Sequence, residues 1–208
     1  MLRNIRSALL IVGLCVATQA TAQDVKITQD MGARTIEIAG QTITISRVQN
    51  QENVLTGEFA RTSRACPPYC IEPEVVADGV QTLGELEVMD FLEAKVGQGL
   101  GILVDSRVPA WYQKGSVPGA INIPDSTLHK VNPYRGEIMK ALGATEKDGV
   151  WNFDGAVELA FLTHGPWSNE ASVSILSLLD AGYPAEKLKF YRGGLQSWLM
   201  LGLTVTAP

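Results

Sequence analysis

Helical and strand patterns alternate along the chain from about residue 82 to the C-terminus. The apolar runs are short and nearly uninterrupted, which is typical of strands buried on both faces of a parallel sheet. Amphipathic stretches with helical spacing lie between them, and glycines end several of these stretches. We predict strands at residues 102–104, 120–123, 159–162 and 188–191, and helices at 85–96, 137–142, 170–181 and 195–201.

This alternation predicts the fold class α/β, with a mainly parallel sheet of four or five strands flanked by helices. With 208 residues, of which 46% are hydrophobic and 19% charged, the chain can bury one substantial core and is not a disordered or coiled-coil sequence. Ligands of such sheets bind beyond the carboxyl ends of the strands, so we expect functional residues to follow the predicted strands directly.

Before this domain, apolar and polar side chains alternate with the two-residue period of β-strands. Residues 35–38 and 41–45 alternate apolar and polar side chains on either side of Ala39 and Gly40, which predicts a β-hairpin with one apolar face. A lone hairpin is marginally stable in water, so we expect this face to pack on the rest of the protein. The proline-rich stretch 64–73 has neither period and is interpreted as a connecting loop.

The first residues have the pattern of a secretory signal peptide. Arg3 and Arg6 precede an apolar stretch at residues 8–17, and Ala20 and Ala22 supply the small side chains of a cleavage site. The apolar stretch is too short for a membrane anchor, since about 20 residues are needed to cross a bilayer. We predict an exported protein, periplasmic or secreted, with a signal peptide at 1–22, an N-terminal hairpin and loop region at 23–81 and the α/β domain at 82–208.

The net charge of the chain limits the classes of partner that it can bind. The chain has 17 Lys and Arg residues against 22 Asp and Glu, and loss of Arg3 and Arg6 would leave 15 against 22. An acidic balance repels nucleic acid backbones and anionic lipid surfaces. We therefore expect no nucleic acid partner, and no membrane span after cleavage of the signal peptide.

Two separated motifs resemble a known family. The first runs from Val104-Asp105-Ser106-Arg107 to Val117-Pro118-Gly119-Ala120-Ile121-Asn122-Ile123-Pro124, and the second is Arg192-Gly193-Gly194-Leu195-Gln196-Ser197-Trp198. Together they closely resemble the signature stretches of the rhodanese-like, or Cdc25-type, domain found in sulfurtransferases. The resemblance covers about residues 82–205 and implies a rhodanese-like parallel sheet flanked by helices.

Most of the matched positions have structural roles in our interpretation. Pairing of Asp105 with Arg107 as a scaffold ion pair is favoured over a catalytic role. Tight turns in the backbone explain the Pro-Gly and Gly-Gly pairs, and Trp198 is interpreted as a core residue. The scaffold positions are Asp105, Arg107, Pro118, Gly119, Arg192, Gly193 and Gly194.

The resemblance places the family's chemistry in the loop after the predicted strand 159–162. A Cys begins this loop in the family, and backbone N–H groups cradle an anion and stabilise a thiolate or persulfide. Thr163 stands at that position here, and Ser168 matches the second Cys of relatives with a Cys-x-Gly-Pro-Trp-Cys loop. Because an alcohol cannot hold a transferable sulfur and needs a base to react, we predict a pseudoenzyme without conventional thiosulfate sulfurtransferase activity.

The altered loop is instead our predicted binding site, for a small anion or sulfur compound or for another exported protein. It contains no Arg or Lys, and Glu170 weakens its positive field. Nucleophilic attack by Thr163 with His164 as base is disfavoured, because no residue that would orient the imidazole is evident. Trp111, Tyr112 and Trp167 form either a recognition surface or three separate packing anchors, and the second interpretation is favoured. We predict no metal and no cofactor. The predicted loop residues are Thr163, His164, Gly165, Trp167, Ser168 and Asn169.

Two cysteines remain after the predicted cleavage. Cys66 and Cys70 lie four residues apart, and a local disulfide is expected in an oxidising compartment. The pair is either a structural staple or a functional replacement for the missing loop cysteine. In the second case either residue is a candidate catalytic group of a periplasmic sulfurtransferase or thiol-disulfide enzyme, or the pair is a Cu(I) site. If the sulfur atoms of Cys66 and Cys70 face the Thr163 loop, the thiol enzyme is favoured.

Overall fold

The computed structural model of the protein describes residues 24–207. The predicted signal peptide and Cys15 lie outside the described residues. Within the described part, no helix combines the length and hydrophobicity needed to cross a membrane. The strands are β1 (Ala33–Ile38), β2 (Gln41–Ser46), β3 (Gln81–Thr82), β4 (Gly101–Asp105), β5 (Ile121–Asn122), β6 (Thr145–Lys147), β7 (Val150–Asn152), β8 (Glu158–Leu162) and β9 (Leu188–Phe190).

Within residues 24–207, six α-helices and three other helical turns connect or flank these strands. The α-helices are α1 (Glu85–Phe91), α2 (Pro109–Tyr112), α3 (Asp125–Leu128), α4 (Arg135–Ala141), α5 (Glu170–Asp180) and α6 (Gly194–Met200). A π-helical turn over Leu92–Val96 continues α1, and 3-10 turns lie at Gly57–Ala60 and Ala185–Lys187.

A five-stranded parallel sheet forms the centre of the molecule, in the order β3-β9-β8-β4-β5. The predicted α/β class with a mainly parallel sheet is confirmed. Strand β8 shows why its sequence is a continuous apolar run. Leu159 and Phe161 pack into the cluster on one face of the sheet, while Ala160 and Leu162 pack into the cluster on the other. Both faces are therefore covered, as parallel sheets require.

The hairpin β1–β2 is confirmed and covers one of these faces. Its two-residue turn uses Ala39 and Gly40, both with positive φ, at 50° and 77°. Two positive φ values at this position fit the right-handed twist of the paired strands. Ile36 and Ile45 are buried in the cluster that also contains Met89 of α1, so the apolar face of the hairpin packs on the domain as expected.

Some elements differ from the sequence-based prediction. Strand β3, at the edge of the sheet, and the hairpin β6–β7 were not predicted, although Asp148-Gly149 is a turn signal of the same kind as Ala39-Gly40. Three-residue strands carry too few side chains for a period to be visible. In α5, Leu176 is half exposed because the buried stripe runs through Ala171, Ile175 and Leu178.

We expect Ile45→Ala to lower the free energy of unfolding by about 3 kcal/mol, because the side chain is fully buried and its loss leaves a cavity between hairpin and domain. The matched control is Thr44→Ala on the exposed face of the same strand, for which a loss of about 0.5 kcal/mol or less is expected. Urea unfolding measures both values. Equal small losses would contradict the packing of the hairpin into the core.

Candidate functional site

The carboxyl end of β4 carries a buried ion pair. Asp105 and Arg107 are 0% and 1% exposed, and Arg107 Nη2 lies 2.6 Å from Asp105 Oδ2. The hydroxyl of Ser116 donates to the same carboxylate oxygen at 2.6 Å, and Arg107 Nη2 also donates to the Gly115 carbonyl at 2.8 Å. Both charges are thus paired and hydrogen-bonded, which is what allows them to be buried. These contacts fix the loop between β4 and β5.

The loop after β8 packs tightly against the start of α6. Gly194 has a φ of 57°, and a Cβ atom there would lie 2.6 Å from the Thr163 carbonyl oxygen. The backbone N–H groups of Leu195 and Gln196 donate to the carbonyls of Thr163 and His164 at 2.9 and 2.7 Å. Glycine at position 194 is therefore required both by the left-handed backbone and by this close approach.

The turn at Pro118-Gly119 lies under the hairpin. Gly119 has a φ of 82°, and a Cβ there would come within 2.6 Å of Ile38 Cδ1. Gly193 directly precedes α6, with Gly194 as the first residue of that helix. The predicted scaffold positions thus hold turns on which the hairpin and the loop after β8 rest.

Three polar side chains of the loop after β8 converge on one carboxylate. Thr163 Oγ1 donates to Glu170 Oε2 at 2.6 Å, and the Ser168 hydroxyl donates to the same oxygen. The other carboxylate oxygen lies 3.5 Å from Nδ1 of His164. Thr163 and Ser168 are themselves 3.4 Å apart at their hydroxyl oxygens. The carboxylate of Glu170, the first residue of α5, therefore occupies the space between the loop hydroxyls.

The protonation of Glu170 reflects these contacts. Burial raises its pKa, but hydrogen bonds from His164, Ser168, Thr163 and its own backbone N–H outweigh burial and lower the pKa from the ordinary 4.5 to about 2. A negative charge at the N-terminal end of a helix is also favoured by the exposed N–H groups there. Glu170 is thus an anion at all physiological pH values.

Aromatic rings surround His164. Ring centroids of Trp111, Trp167 and Phe59 lie 5.1, 5.4 and 6.3 Å from the imidazole, which is 7% exposed. The interpretation of Trp111 and Trp167 as separate packing anchors is therefore wrong, because both pack on the same histidine. Tyr112 does act as a separate anchor, since its hydroxyl donates to the Ala120 carbonyl at 2.8 Å.

The N-terminal region supplies a cation that the loop itself lacks. The guanidinium of Arg64 lies 3.6 Å from the centroid of the Trp167 ring, and its side chain is 4% exposed. Arg64 also donates to Glu58, through Nη1 to the carboxylate and through Nη2 to the carbonyl. The expectation that the loop has a weakened positive field holds for its own sequence but overlooks Arg64, which comes from 99 positions before Thr163.

The cysteine segment lies directly beside the loop. Cys66 and Cys70 form a disulfide, and the ring of Tyr69 between them meets Trp167 edge-on at 5.6 Å. The N–H of Glu72 donates to the Pro166 carbonyl at 2.8 Å.

Arg192 holds the chain just beyond these cysteines. Arg192 follows the carboxyl end of β9, and its guanidinium donates to the carbonyls of Glu72 and Pro73. Thus the disulfide segment is fastened across the carboxyl ends of the strands and adjoins the loop that begins at Thr163.

The geometry does not support a hydroxyl nucleophile. A base of the serine-hydrolase type uses one ring nitrogen for the hydroxyl and the other for the orienting acid. Here Nδ1 of His164 faces both Ser168 Oγ, at 3.4 Å, and Glu170. The hydroxyls of Thr163 and Ser168 donate directly to the carboxylate, which keeps them protonated.

Of the remaining predicted loop residues, Gly165 is close to Gln196 and Asn169 is exposed. A Cβ atom on Gly165 would lie 2.9 Å from Oε1 of Gln196. That same oxygen accepts from Trp167 Nε1 at 2.6 Å, and Gln196 Nε2 donates to the Phe59 carbonyl at 2.9 Å. Asn169 precedes α5 without a side-chain capping bond. Among residues 24–207, no group of three or more Cys, His, Asp and Glu residues is arranged to hold a metal ion.

Sequence reasoning missed Phe59 and Arg64, and it missed the role of Glu170 as the acceptor of the loop hydroxyls. For the first two no signal was available, because both lie in an irregular segment far from the loop in sequence. For Glu170 a signal existed, since an acidic residue at the first position of a helix is favoured near the helix N–H groups.

The family model for the rhodanese-like domain matches residues 88–201. The chain belongs to the rhodanese-like domain family. Both predicted motifs lie within that match, while the hairpin, Arg64 and the disulfide precede it. No curated protein matches the sequence.

Solved structures of rhodanese-like proteins are similar to this chain. The thiosulfate sulfurtransferase of Pseudomonas aeruginosa is 21% identical with a TM-score of 0.45, and the alignment covers 61% of this chain but only 20% of the other. A rhodanese-related protein from Thermoplasma volcanium is 21% identical over 62% of this chain and 99% of its own, with a TM-score of 0.41. A rhodanese-like domain from Anabaena sp. is 15% identical over 64% and 81%, also with a TM-score of 0.41.

The stability of this rhodanese-like protein is expected to depend on Glu170 in acid. Because the folded-state pKa is below the ordinary value, the contribution of Glu170 is complete above about pH 4.5 and is lost as the pH falls toward 2. The shift corresponds to about 3 kcal/mol. Glu170→Gln should therefore flatten the decline of the free energy of unfolding between about pH 5 and 2, measured by urea titration at each pH.

The matched control for this prediction is Glu137→Gln, since Glu137 is exposed in the first turn of α4. It should leave the acid decline of the parent unchanged. If the free energy of unfolding of Glu170→Gln fell in acid as steeply as that of the parent, this would show that the carboxylate contacts do not stabilise the fold.

Proposed function

We propose that the protein is an exported rhodanese-like binding module without conventional thiosulfate sulfurtransferase activity. The observation that carries this proposal is the position of the Glu170 carboxylate, which accepts hydrogen bonds from Thr163 and Ser168. In the family, this space receives the anionic substrate beside a reactive cysteine. In this protein a hydroxyl replaces the thiol, and the space is already filled by a negative charge.

Both changes act against sulfur transfer. A threonine hydroxyl forms no persulfide. It donates to the Glu170 carboxylate at 2.6 Å, and that carboxylate, with its pKa lowered to about 2, is too weak a base to deprotonate an alcohol. A second anion in the same space would meet like-charge repulsion at short range. The chemistry that remains to the loop face is binding.

The surface around the loop favours another exported protein as the partner of this face. Tyr69, which meets Trp167 edge-on, is 44% exposed, and Ile71, two residues further along the chain, is 85% exposed. Exposed apolar side chains next to a buried cation are typical of protein contact surfaces and not of sites for free inorganic anions. The predicted signal peptide and the Cys66–Cys70 disulfide support export, because disulfides persist in oxidising compartments.

We expect the parent protein to transfer no sulfur from thiosulfate to cyanide. Thr163→Cys should restore a thiol but remain nearly inactive, because the Glu170 carboxylate would raise the thiol pKa and occupy the anion space. The double variant Thr163→Cys, Glu170→Gln should gain a mass of one sulfur atom from thiosulfate and form thiocyanate. Intact-mass measurement and thiocyanate detection report these two steps separately.

Two controls complete this test. Glu170→Gln alone should remain inactive, since it keeps the hydroxyl of Thr163. Sulfur transfer by the parent chain would overturn the proposal. Equal activity of Thr163→Cys with and without Glu170→Gln would show that the carboxylate does not block the loop.

A second candidate function is a thiol enzyme that uses Cys66 and Cys70, and the contact of Tyr69 with Trp167 is the observation that favours it. In that reaction a reduced cysteine would attack the outer sulfur of thiosulfate, the sulfur–sulfur bond would break, and sulfite would leave with the bonding electrons. We expect no such adduct on the reduced parent. An adduct that disappears in Cys66→Ser or in Cys70→Ser would establish this enzyme and identify the nucleophile.

A further inference from the structure

A cavity lies beside Trp111, and His164 is not among its lining residues. It has a volume of about 210 Å³ and is formed between the N-terminal turn Gly57–Ala60, the end of α2 and one side of α6. Its walls are mostly apolar, and its floor includes the buried Arg107. The apolar lining consists of Phe59, Trp111, Leu195, Leu199 and Val205.

Two cations line this apolar cavity. Lys114 is exposed, with its ammonium 4.0 Å from the centroid of the Trp111 ring. Arg107 uses Nε and Nη2 for its bonds to Asp105 and Gly115, and Nη1 makes no hydrogen bond within residues 24–207. Arg107 is 1% exposed and lines the cavity, and a guanidinium that keeps one nitrogen unbonded can donate to an anionic group.

The one acidic residue of the lining does not cancel these charges. Glu58 accepts from Arg61 and Arg64, and hydrogen bonds from both lower its pKa, so its charge is paired with two guanidiniums. Asp105 is likewise paired with Arg107. Lys114 makes no ion pair among the described residues, so the cavity is positive at its mouth.

We propose that this cavity binds a small organic carboxylate with an apolar body. The apolar walls take up the body of the ligand, while Lys114 and Nη1 of Arg107 hold its carboxylate. An inorganic phosphate or sulfate would gain little from walls of this kind, because specific sites for them need several converging donors. The volume is below the range of about 300–1,000 Å³ that accommodates drug-sized ligands, so the ligand has one ring or a short chain.

This site goes beyond the binding face proposed above and is separate from the loop hydroxyls. Phe59 and Glu58 precede the family match at 88–201, so the cavity combines the rhodanese-like domain with the preceding segment. Trp111 is shared, since one side of its ring system lines the cavity and its edge-on contact with His164 is at 5.1 Å.

The test uses phenylacetate and its uncharged isostere phenylacetamide as probes of the full chain. We expect phenylacetate to shift the NMR signal of the Trp111 indole in a saturable manner and to bind more tightly than phenylacetamide. Lys114→Gln should weaken phenylacetate about fivefold, the upper effect of one exposed charge pair, without changing phenylacetamide. Lys114→Arg should restore the affinity.

Lys140→Gln is the matched control, because Lys140 also lies near an indole, 5.7 Å from Trp151, but outside the cavity. It should leave phenylacetate affinity unchanged, and the Trp151 signal serves as the internal reference. The proposal is overturned if phenylacetate gives no saturable shift or if phenylacetamide binds equally well. It is also overturned if Lys114→Gln and Lys140→Gln have the same affinity for phenylacetate. None of these outcomes bears on sulfur transfer, so failure of this site and failure of the proposed function are distinguishable.

Discussion

The buried pair of Asp105 and Arg107 connects more parts of the molecule than any other polar contact described above. Asn122 of β5 donates to the carbonyls of both residues, at 2.9 and 2.7 Å, and so ties the edge strand to β4. Ser116, which donates to Asp105, is also paired through its backbone with Thr206 near the C-terminus. Removing one partner would leave a buried charge without compensation, which costs several kcal/mol.

The same pair sets the chemistry of the neighbouring surfaces. Since Asp105 occupies two nitrogens of the guanidinium, Arg107 is held rigidly and presents a single remaining N–H edge. A flexible lysine at this position would have no such fixed direction. The pair therefore links the stability of the sheet edge to ligand binding in the cavity that Arg107 and Trp111 line. The Arg107 side chain thus belongs both to the buried ion pair and to the lining of the cavity.

Sequence reasoning recovered the elements with the longest patterns. The hairpin and α5 were predicted because each repeats its period over several residues, and β4 and β8 because each is a continuous apolar run. The strands β3 and β6 are two and three residues long, too short for a period to be seen. Their positions follow from pairing with β9 and β7, which is tertiary information.

For the site, the sequence identified the loop 163–169 but not its surroundings. Phe59 and Arg64 reach the loop only because residues 57–74 fold back across the strand ends, held by Gln196 and Arg192. No spacing in the sequence encodes such a contact between distant segments. Glu170 was recognised as an unfavourable charge for an anion site, whereas its geometry makes it the acceptor for the loop hydroxyls.

The place of Glu170 in the covalent chain has a thermodynamic consequence. A carboxylate carried by the first residue of α5 is an intramolecular competitor with a high effective concentration, and dilution cannot remove it. An external anion gains access only in the fraction of molecules whose side chain has rotated away. Its apparent dissociation constant is the intrinsic value divided by that fraction, so each tenfold preference for the inward rotamer weakens the external anion about tenfold. For any free anion that binds this loop, the rotamer equilibrium of Glu170 would set the apparent affinity.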